Sequence, residues 1–273
     1  MNRMNLQTKI EIAPSAWKIA YPDRIVMLGS CFSDNLARKM QEYYFQVVAN
    51  PFGTLYNPVS IARHLHGMAV QTADVVTVTF GTAWVYADKK QCVPDWMEAV
   101  VDNCQKRPAA DFERRRLTVD EIVRLWQPIL AENTDRRFVF TVSPIRHMKD
   151  GLHENNVSKA ILLQAVDELV RNAPCGSRAA YFPSYEIMLD ELRDYRFYAD
   201  DMRHPSTLAV QYIWERFVDT YFDADTRNEM QVLHQLFLDR NHRPLKPDSD
   251  DYRLFCQRTQ AEYEELKKHY PWL

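Results

Sequence analysis

Short apolar runs alternate with longer stretches in which apolar residues return every three or four positions. Residues 25–28, 45–48, 75–80, 138–142 and 179–182 are runs of that first kind and predict five strands, the third rich in Val and Thr. Residues 35–44, 59–68, 118–132 and 158–171 carry the helical period. In the first of these helices Leu36, Met40 and Tyr43 share a side, and Ser33 or Asp34 is the expected N-cap. Thr118-Val119-Asp120-Glu121 has the form of a capping box, and Ile122, Trp126 and Leu130 behind it fall at core spacing. Asn50-Pro51 and Ser143-Pro144 close the second and fourth strands.

Strands separated by helices argue for a parallel sheet covered on both faces, with ligands at the carboxyl ends of its strands. From Ser206 onward the pattern is helical throughout: residues 208–222, 226–238 and 252–269, with a linker at 243–248. This divides the chain into an α/β unit at 1–222 and a helical appendage at 223–273. The appendage's charged last helix is expected to be solvated or to face a partner, including a second copy of the chain.

Composition narrows the class further. A chain of 273 residues, 46% hydrophobic, buries a sizeable core. A net charge of -3 provides no basic footprint for nucleic acid. No apolar run approaches the roughly 20 residues that span a bilayer, and Met1 to Leu6 lacks the apolar core of a secretory signal. The 5 cysteines are scattered with no C-x-x-C pair, so neither a disulfide framework nor a zinc knuckle is indicated and a reducing cytoplasm is the expected setting.

The richest stretch is Arg24-Ile25-Val26-Met27-Leu28-Gly29-Ser30-Cys31-Phe32-Ser33, where an apolar strand runs into Gly-Ser and then at once into a helix. A serine there sits beside the unsatisfied N–H groups of a helix start, a setting that suits a nucleophile. Its neighbour Cys31 is expected to point into the core. Asp201-Met202-Arg203-His204-Pro205-Ser206 offers the base. An Asp three residues before a His can fold back onto Nδ1 and leave Nε2 free to take a proton. The same hexapeptide also reads as a surface loop that caps a helix.

Other side chains have plainer readings. His147 and His153 flank Lys149-Asp150-Gly151, within reach of a substrate or held in a loop by local bonds. His64 and His66 point apart on a helix, so no metal site is expected. Residues 195–198, Tyr-Arg-Phe-Tyr, stack a ligand or pack the loop that carries Asp201, and Arg114-Arg115-Arg116 reads as a solvated face.

Gly29-Ser30-Cys31-Phe32-Ser33, Asn50-Pro51-Phe52-Gly53-Thr54-Leu55-Tyr56-Asn57-Pro58 and Phe80-Gly81-Thr82-Ala83-Trp84-Val85-Tyr86 resemble the GSCFA domain family. So do Thr141 to His147 with Lys149-Asp150-Gly151, and Pro183-Ser184-Tyr185-Glu186 running on to Asp201 and His204. The resemblance implies the SGNH, or GDSL-like, hydrolase superfamily: a flavodoxin-like three-layer α/β/α sandwich on a mostly parallel five-stranded sheet ordered 2-1-3-4-5. It implies a Ser30, Asp201, His204 triad, an oxyanion hole from the N–H groups of Ser30 and Gly53, and substrate contacts at Asn57, Arg146 and His147. No metal or cofactor belongs to that chemistry. The expected substrate is a small-molecule or carbohydrate ester, with neither nucleic acid nor membrane as a partner. The chain departs from the pattern at Ala83, where the superfamily's oxyanion asparagine is missing; Asn50, Asn57, Asn103 and Arg146 are the polar replacements on offer. The connection from Asn57 to Val75 is also short, which removes part of a substrate wall. Two functions stand against each other at this point: a serine ester hydrolase or acyl transferase, and a binding or scaffolding module on the same fold.

Overall fold

The computed structural model describes residues 8–102 and 107–273. The chain runs through β1 (Arg24–Gly29), α1 (Cys31–Glu42), β2 (Gln46–Ala49), α2 (Pro58–Arg63), α3 (Met68–Gln71), β3 (Val75–Phe80), β4 (Trp84–Asp88) and β5 (Phe112–Arg116). It continues through α4 (Val119–Glu132), β6 (Arg137–Val142), α5 (Gly151–Arg171), β7 (Arg178–Tyr181), α6 (Ser184–Glu186), α7 (Thr207–Tyr221), α8 (Ala224–Arg240) and α9 (Asp250–His269). Five strands form one sheet in the order β2-β1-β3-β6-β7, and every neighbouring pair is parallel.

The alternation within each strand builds the three layers. Val26 and Leu28 of β1, Val76 and Val78 of β3, and Phe138 and Phe140 of β6 pack with Ile61, Trp126, Leu130 and Leu162 from α2, α4 and α5. Ile25, Met27, Val75 and Val139 face the opposite way, onto Leu36 and Met40 of α1 and Ile213, Trp214 and Phe217 of α7. A sheet buried on both faces explains why its strands read as nearly unbroken apolar runs. The C-terminal helices close onto this second layer. Met230 and Leu233 of α8 are buried in it, His234 stacks on Tyr43 at 4.3 Å, and the Trp272 indole donates to the Tyr44 carbonyl at 3.0 Å.

Four local expectations need correction. The cap of α1 is Ser30, whose extended backbone lets its Oγ accept from the Phe32 N–H at 3.3 Å; the Ser33 hydroxyl is turned inward to the Leu28 carbonyl and Thr79. The stretch predicted as one helix at 59–68 breaks into α2, a 3-10 turn (His64–His66) and α3. Helix α5 starts at Gly151 rather than at Ser158, because its first turns are polar and carry no apolar period. The antiparallel β4–β5 pair was not anticipated: β5 is Phe-Glu-Arg-Arg-Arg, with no strand-like composition. Its arginines pair across the strand with carboxylates and lie on indoles, Arg114 over Trp84 at 3.8 Å and Arg115 over Trp96 at 3.9 Å. The triple arginine remains partly exposed, as expected of a solvated face, while ion pairs and indole contacts engage each guanidinium.

Candidate active site

The carboxyl ends of β1, β3 and β6 meet at one place, and the backbone there is tightly constrained. Gly29 has φ +130°, and a Cβ on it would lie 2.1 Å from the Thr79 carbonyl oxygen of β3. Only glycine lets β1 pass so close to β3 before turning into α1. The next residue, Ser30, is held from several sides. Its N–H donates to the Thr79 carbonyl at 3.3 Å, its hydroxyl donates to Ser143 Oγ at 2.9 Å, and it is 1% exposed. Ser30 therefore caps α1 and ties it to the end of β6, where an exposed nucleophile had been expected.

The turn instead presents Cys31. A cavity of about 450 Å³ opens at this end of the sheet, and Cys31, Tyr56, Trp84, Arg146, His147 and His204 are among the residues that line it. The Cys31 side chain is half-buried: it packs against the core of the second layer, as expected, and also lines the cavity, with Sγ 3.5 Å from the Tyr56 hydroxyl. Cys31 is also the first residue of α1, and among the described residues nothing accepts a hydrogen bond from its N–H.

Opposite lies the loop after the 3-10 turn Tyr195–Phe197. Asp201 folds back so that its carboxylate meets His204 Nδ1 at 2.5 Å and accepts the Arg203 and His204 N–H groups at 2.9 and 3.0 Å. Those backbone bonds, then the imidazole, hold the Asp201 carboxyl below the usual carboxylate range. A carboxylate on Nδ1 fixes a proton on that nitrogen and leaves Nε2 as the one that exchanges protons with a partner. The loop is docked to the end of β6 by the Arg146 N–H donating to the Arg203 carbonyl at 3.2 Å. Arg146 lies over the Tyr198 ring at 4.1 Å, so the aromatic run at 195–198 packs this loop.

His147 and Lys159 complete the wall between β3 and β6. The His147 N–H donates to Asn155 Oδ1 at 2.9 Å, and its ring stands edge-on to Tyr56 with centroids 5.6 Å apart. Its Nε2 is buried with no hydrogen-bond partner, and a Cβ on Gly81 would lie 3.3 Å from it. Burial, reinforced by the charges of Lys159 and His204, pushes the His147 imidazole down to about 3, so the ring is neutral. Lys159 of α5 is fully buried and donates from Nζ to the Gly81 and Ser143 carbonyls, both at 2.7 Å; burial pushes it down to about 7.

The fold thus brings Cys31, Arg146, His147 and His204 to one cavity, with Asp201 behind His204. Other expected residues serve the scaffold. The Gly53 N–H donates to the Asn50 carbonyl at 2.8 Å within its own turn, and Gly53 is exposed and not among the residues lining the cavity. With the Ser30 N–H also engaged, neither donor assigned to the oxyanion hole is free. Asn57 is wholly buried as the cap of α2, accepting from the Ser60 N–H at 2.8 Å, and so cannot contact a substrate there. Asn50 accepts from the Gly29 N–H at 2.9 Å and donates to Asp34, which braces β1 rather than replacing a missing donor. The Ala83 N–H donates to Ser158 Oγ at 2.8 Å. Asn103 lies outside the described residues. His153 is exposed on α5, and His64 pairs with Asp102 at 3.0 Å. Cys31 is the cavity-lining residue that sequence reasoning set aside. Its signal was the length of the turn: if Ser30 is the cap, Cys31 is the first residue to emerge from it.

Among the described residues, no helix is long and apolar enough to cross a membrane. Comparison with solved structures finds similar architecture in other proteins. LAE5, an α/β hydrolase enzyme from the metagenome of Lake Arreo, Spain, superposes with a TM-score of 0.50 at 10% identity, over 74% of this chain and 96% of that one. Axe2, an acetylxylan esterase from Geobacillus stearothermophilus, does so with a TM-score of 0.45 at 12% identity, over 76% and 97%. At such identities the likeness is one of fold. No curated protein matches in sequence. The GSCFA family model matches residues 24–71 and 65–217, and that of the GSCFA domain protein C-terminal domain matches residues 233–273. Covering the sheet, the Gly-Ser-Cys turn and the Asp-His loop alike, these matches establish that the chain belongs to the GSCFA family.

Proposed function

We propose that this chain is an acyl-transfer enzyme of the SGNH, or GDSL-like, kind: a carboxylic ester hydrolase, or a transferase that passes the acyl group to a second alcohol. The observation that carries the reading is the Asp201–His204 pair, joined at 2.5 Å and facing the cavity at the start of α1. His204 Nε2 takes the proton of a nucleophile on the β1–α1 turn, and that nucleophile attacks the ester carbonyl. The oxyanion develops against the N-terminal end of α1, where the Cys31 N–H, unpaired among the described residues, and the helix dipole favour negative charge. His204 then protonates the leaving alkoxide, and water or an acceptor hydroxyl releases the acyl group. This chemistry calls for no metal or cofactor. The aromatic faces of Tyr56, Trp84 and Tyr86, with the guanidinium of Arg146, suit an acylated sugar. In this reading residues 1–222 carry the chemistry, and 223–273 brace it and offer a partner surface.

The test is turnover of a panel of acetyl to octanoyl esters by the full chain and by His204→Ala. The wild-type chain should hydrolyse at least one, and the variant should be slower by about 1000-fold. A wild-type chain that cleaves none, and transfers no acyl group to an added alcohol, refutes the proposal. A second reading, a binding module with catalysis reduced or lost, is favoured by the engaged N–H groups of Ser30 and Gly53 and by Ala83 in place of a side-chain donor. Calorimetric binding of an oligosaccharide, unchanged by His204→Ala in a chain without esterase activity, would establish that alternative.

A further inference from the structure

We propose that the nucleophile is the thiol of Cys31 and that the enzyme works through a thioester on that residue. The inference rests on the acyl-transfer reading above and decides which atom of the β1–α1 turn performs it.

Accessibility argues first. A nucleophile must approach a carbonyl carbon to about 3–3.5 Å. Ser30 is 1% exposed, its O–H is donated to Ser143, and its Oγ caps the Phe32 N–H. For Ser30 to attack, the turn would have to open and the helix lose its cap. Cys31 needs no such rearrangement, because its side chain already lines the cavity shared with His204.

Electrostatics argues the same way. Cys31 occupies the first position of α1, a helix of 12 residues, where the helix dipole favours the negative charge that develops as the sulfur attacks and the carbonyl oxygen becomes an oxyanion. The Tyr56 hydroxyl stands 3.5 Å from the sulfur and can donate to it once the thiol proton has left. The Cys31 N–H has no acceptor among the described residues, whereas that of Ser30 is bound to Thr79. A tetrahedral oxyanion formed on Cys31 thus finds the residue's own amide available.

A second group with an unmet hydrogen bond lies at the same cavity. His147 Nε2 is buried, unpartnered and part of the lining, and the neutral ring can place its proton there. That atom is shut off from solvent in this structure, so the ring must turn toward the cavity before it can donate to an ester oxygen or oxyanion. It stands beside Gly81, close to the position where Ala83 leaves the superfamily's side-chain donor missing.

The steps balance without an outside reagent. His204 Nε2 accepts the thiol proton, and the sulfur forms a bond to the carbonyl carbon. The C–O bond breaks, with the alkoxide taking the proton from His204. Water then adds to the thioester as His204 takes its proton. The C–S bond breaks, the thiolate regains the proton, and the carboxylic acid departs.

The experiment uses the full chain, an acyl ester that it turns over, and peptide mapping by mass spectrometry after rapid quenching. The acyl group should map to the peptide bearing Cys31 and be removed by hydroxylamine at neutral pH, as a thioester is. Cys31→Ala should lose turnover by at least about 1000-fold, and Ser30→Ala by no more than about tenfold. Cys31→Ser, close in size, separates lost chemistry from lost folding: it should keep the wild-type melting curve and lose at least about 100-fold in turnover. An acyl group on Ser30, or a Cys31→Ala variant within about tenfold of wild type, overturns the inference. A second arm needs no ester. Iodoacetamide at pH 6.5 should alkylate Cys31 at least about tenfold faster than the exposed Cys92, Cys175 and Cys256, with the excess abolished by His204→Ala. Equal rates also overturn it. If no ester is turned over while Cys31 alone alkylates rapidly, the acyl-transfer reading falls and the activated thiol stands.

Discussion

Lys159 should make the protein grow more stable as the solution is made alkaline. Its Nζ is buried without a carboxylate beside it and donates to the Gly81 and Ser143 carbonyls. A neutral amine has two N–H groups, one for each carbonyl, whereas the ammonium has a third that must be desolvated. Burial pushes the group down to about 7 in the native chain, against about 10.4 when unfolded. The native pKa is the lower one, so between these values the unfolded chain holds a proton that the native chain has shed. Stability must therefore rise with pH across that window, level off above it, and carry the whole cost of charge burial below about 7. Integrated from pH 7 to 9 at about 1.4 kcal/mol per unit, the gain is about 2 kcal/mol. Urea unfolding at a series of pH values should show it as a midpoint shift on the order of 1 M. Other titrating groups contribute to the same curve, so the quantity to read is wild type minus Lys159→Met, which removes the proton and keeps the length of the chain. That difference should change by about 2 kcal/mol between pH 7 and 9. A difference that stays constant would show that Lys159 titrates alike in both states, and the argument from its two carbonyls would fail.

Asp201→Asn should keep the backbone bonds of the loop but present an amide N–H to His204 Nδ1, forcing the ring proton onto Nε2; kcat should drop by about 10,000-fold with a small change in KM, and a drop below tenfold would refute the orienting role. Gly29→Ala places a Cβ where Thr79 O stands, and urea unfolding should show a loss of at least about 3 kcal/mol, refuted by a variant within about 1 kcal/mol of wild type. Thr118→Ala removes half of the capping box with Glu121 and should cost about 1 kcal/mol in the same assay, with ester turnover unchanged.

The sheet was legible because its strands are buried on both faces and therefore read as apolar runs; Val75–Phe80 is the clearest, buried at every position. The capping box at Thr118 was legible because its two hydrogen bonds need only local sequence. The β4–β5 pair was not, because Arg114, Arg115 and Arg116 owe their strand geometry to Trp84, Trp96 and three carboxylates, each distant in sequence or on another element. At the site, the spacing of Asp201 and His204 allowed the fold-back that is found, beside the reading as a helix-capping loop, and Ser206 does cap α7. The contrast between Ser30 and Cys31 was not legible. It depends on Thr79 and Ser143, partners on β3 and at the end of β6, which turn the serine inward. One residue's difference at a helix start is a rotation of about 100°, enough to exchange a buried side chain for an open one.

The β4–β5 pair has a consequence for how such a molecule can diversify. Its strands bond to each other and stand apart from the parallel sheet, yet Trp84 and Tyr86 of β4 and Phe112 of β5 form one side of the cavity. The other side, with Cys31, His147 and His204, is fixed by the ends of the sheet strands and the loop that leads into α7. Reshaping the hairpin would alter what fits between the two sides while leaving every sheet hydrogen bond in place. On the acyl-transfer proposal, selectivity and reactivity would sit on separately mutable modules, so one chemical apparatus could be inherited intact while the repertoire of molecules it admits drifts.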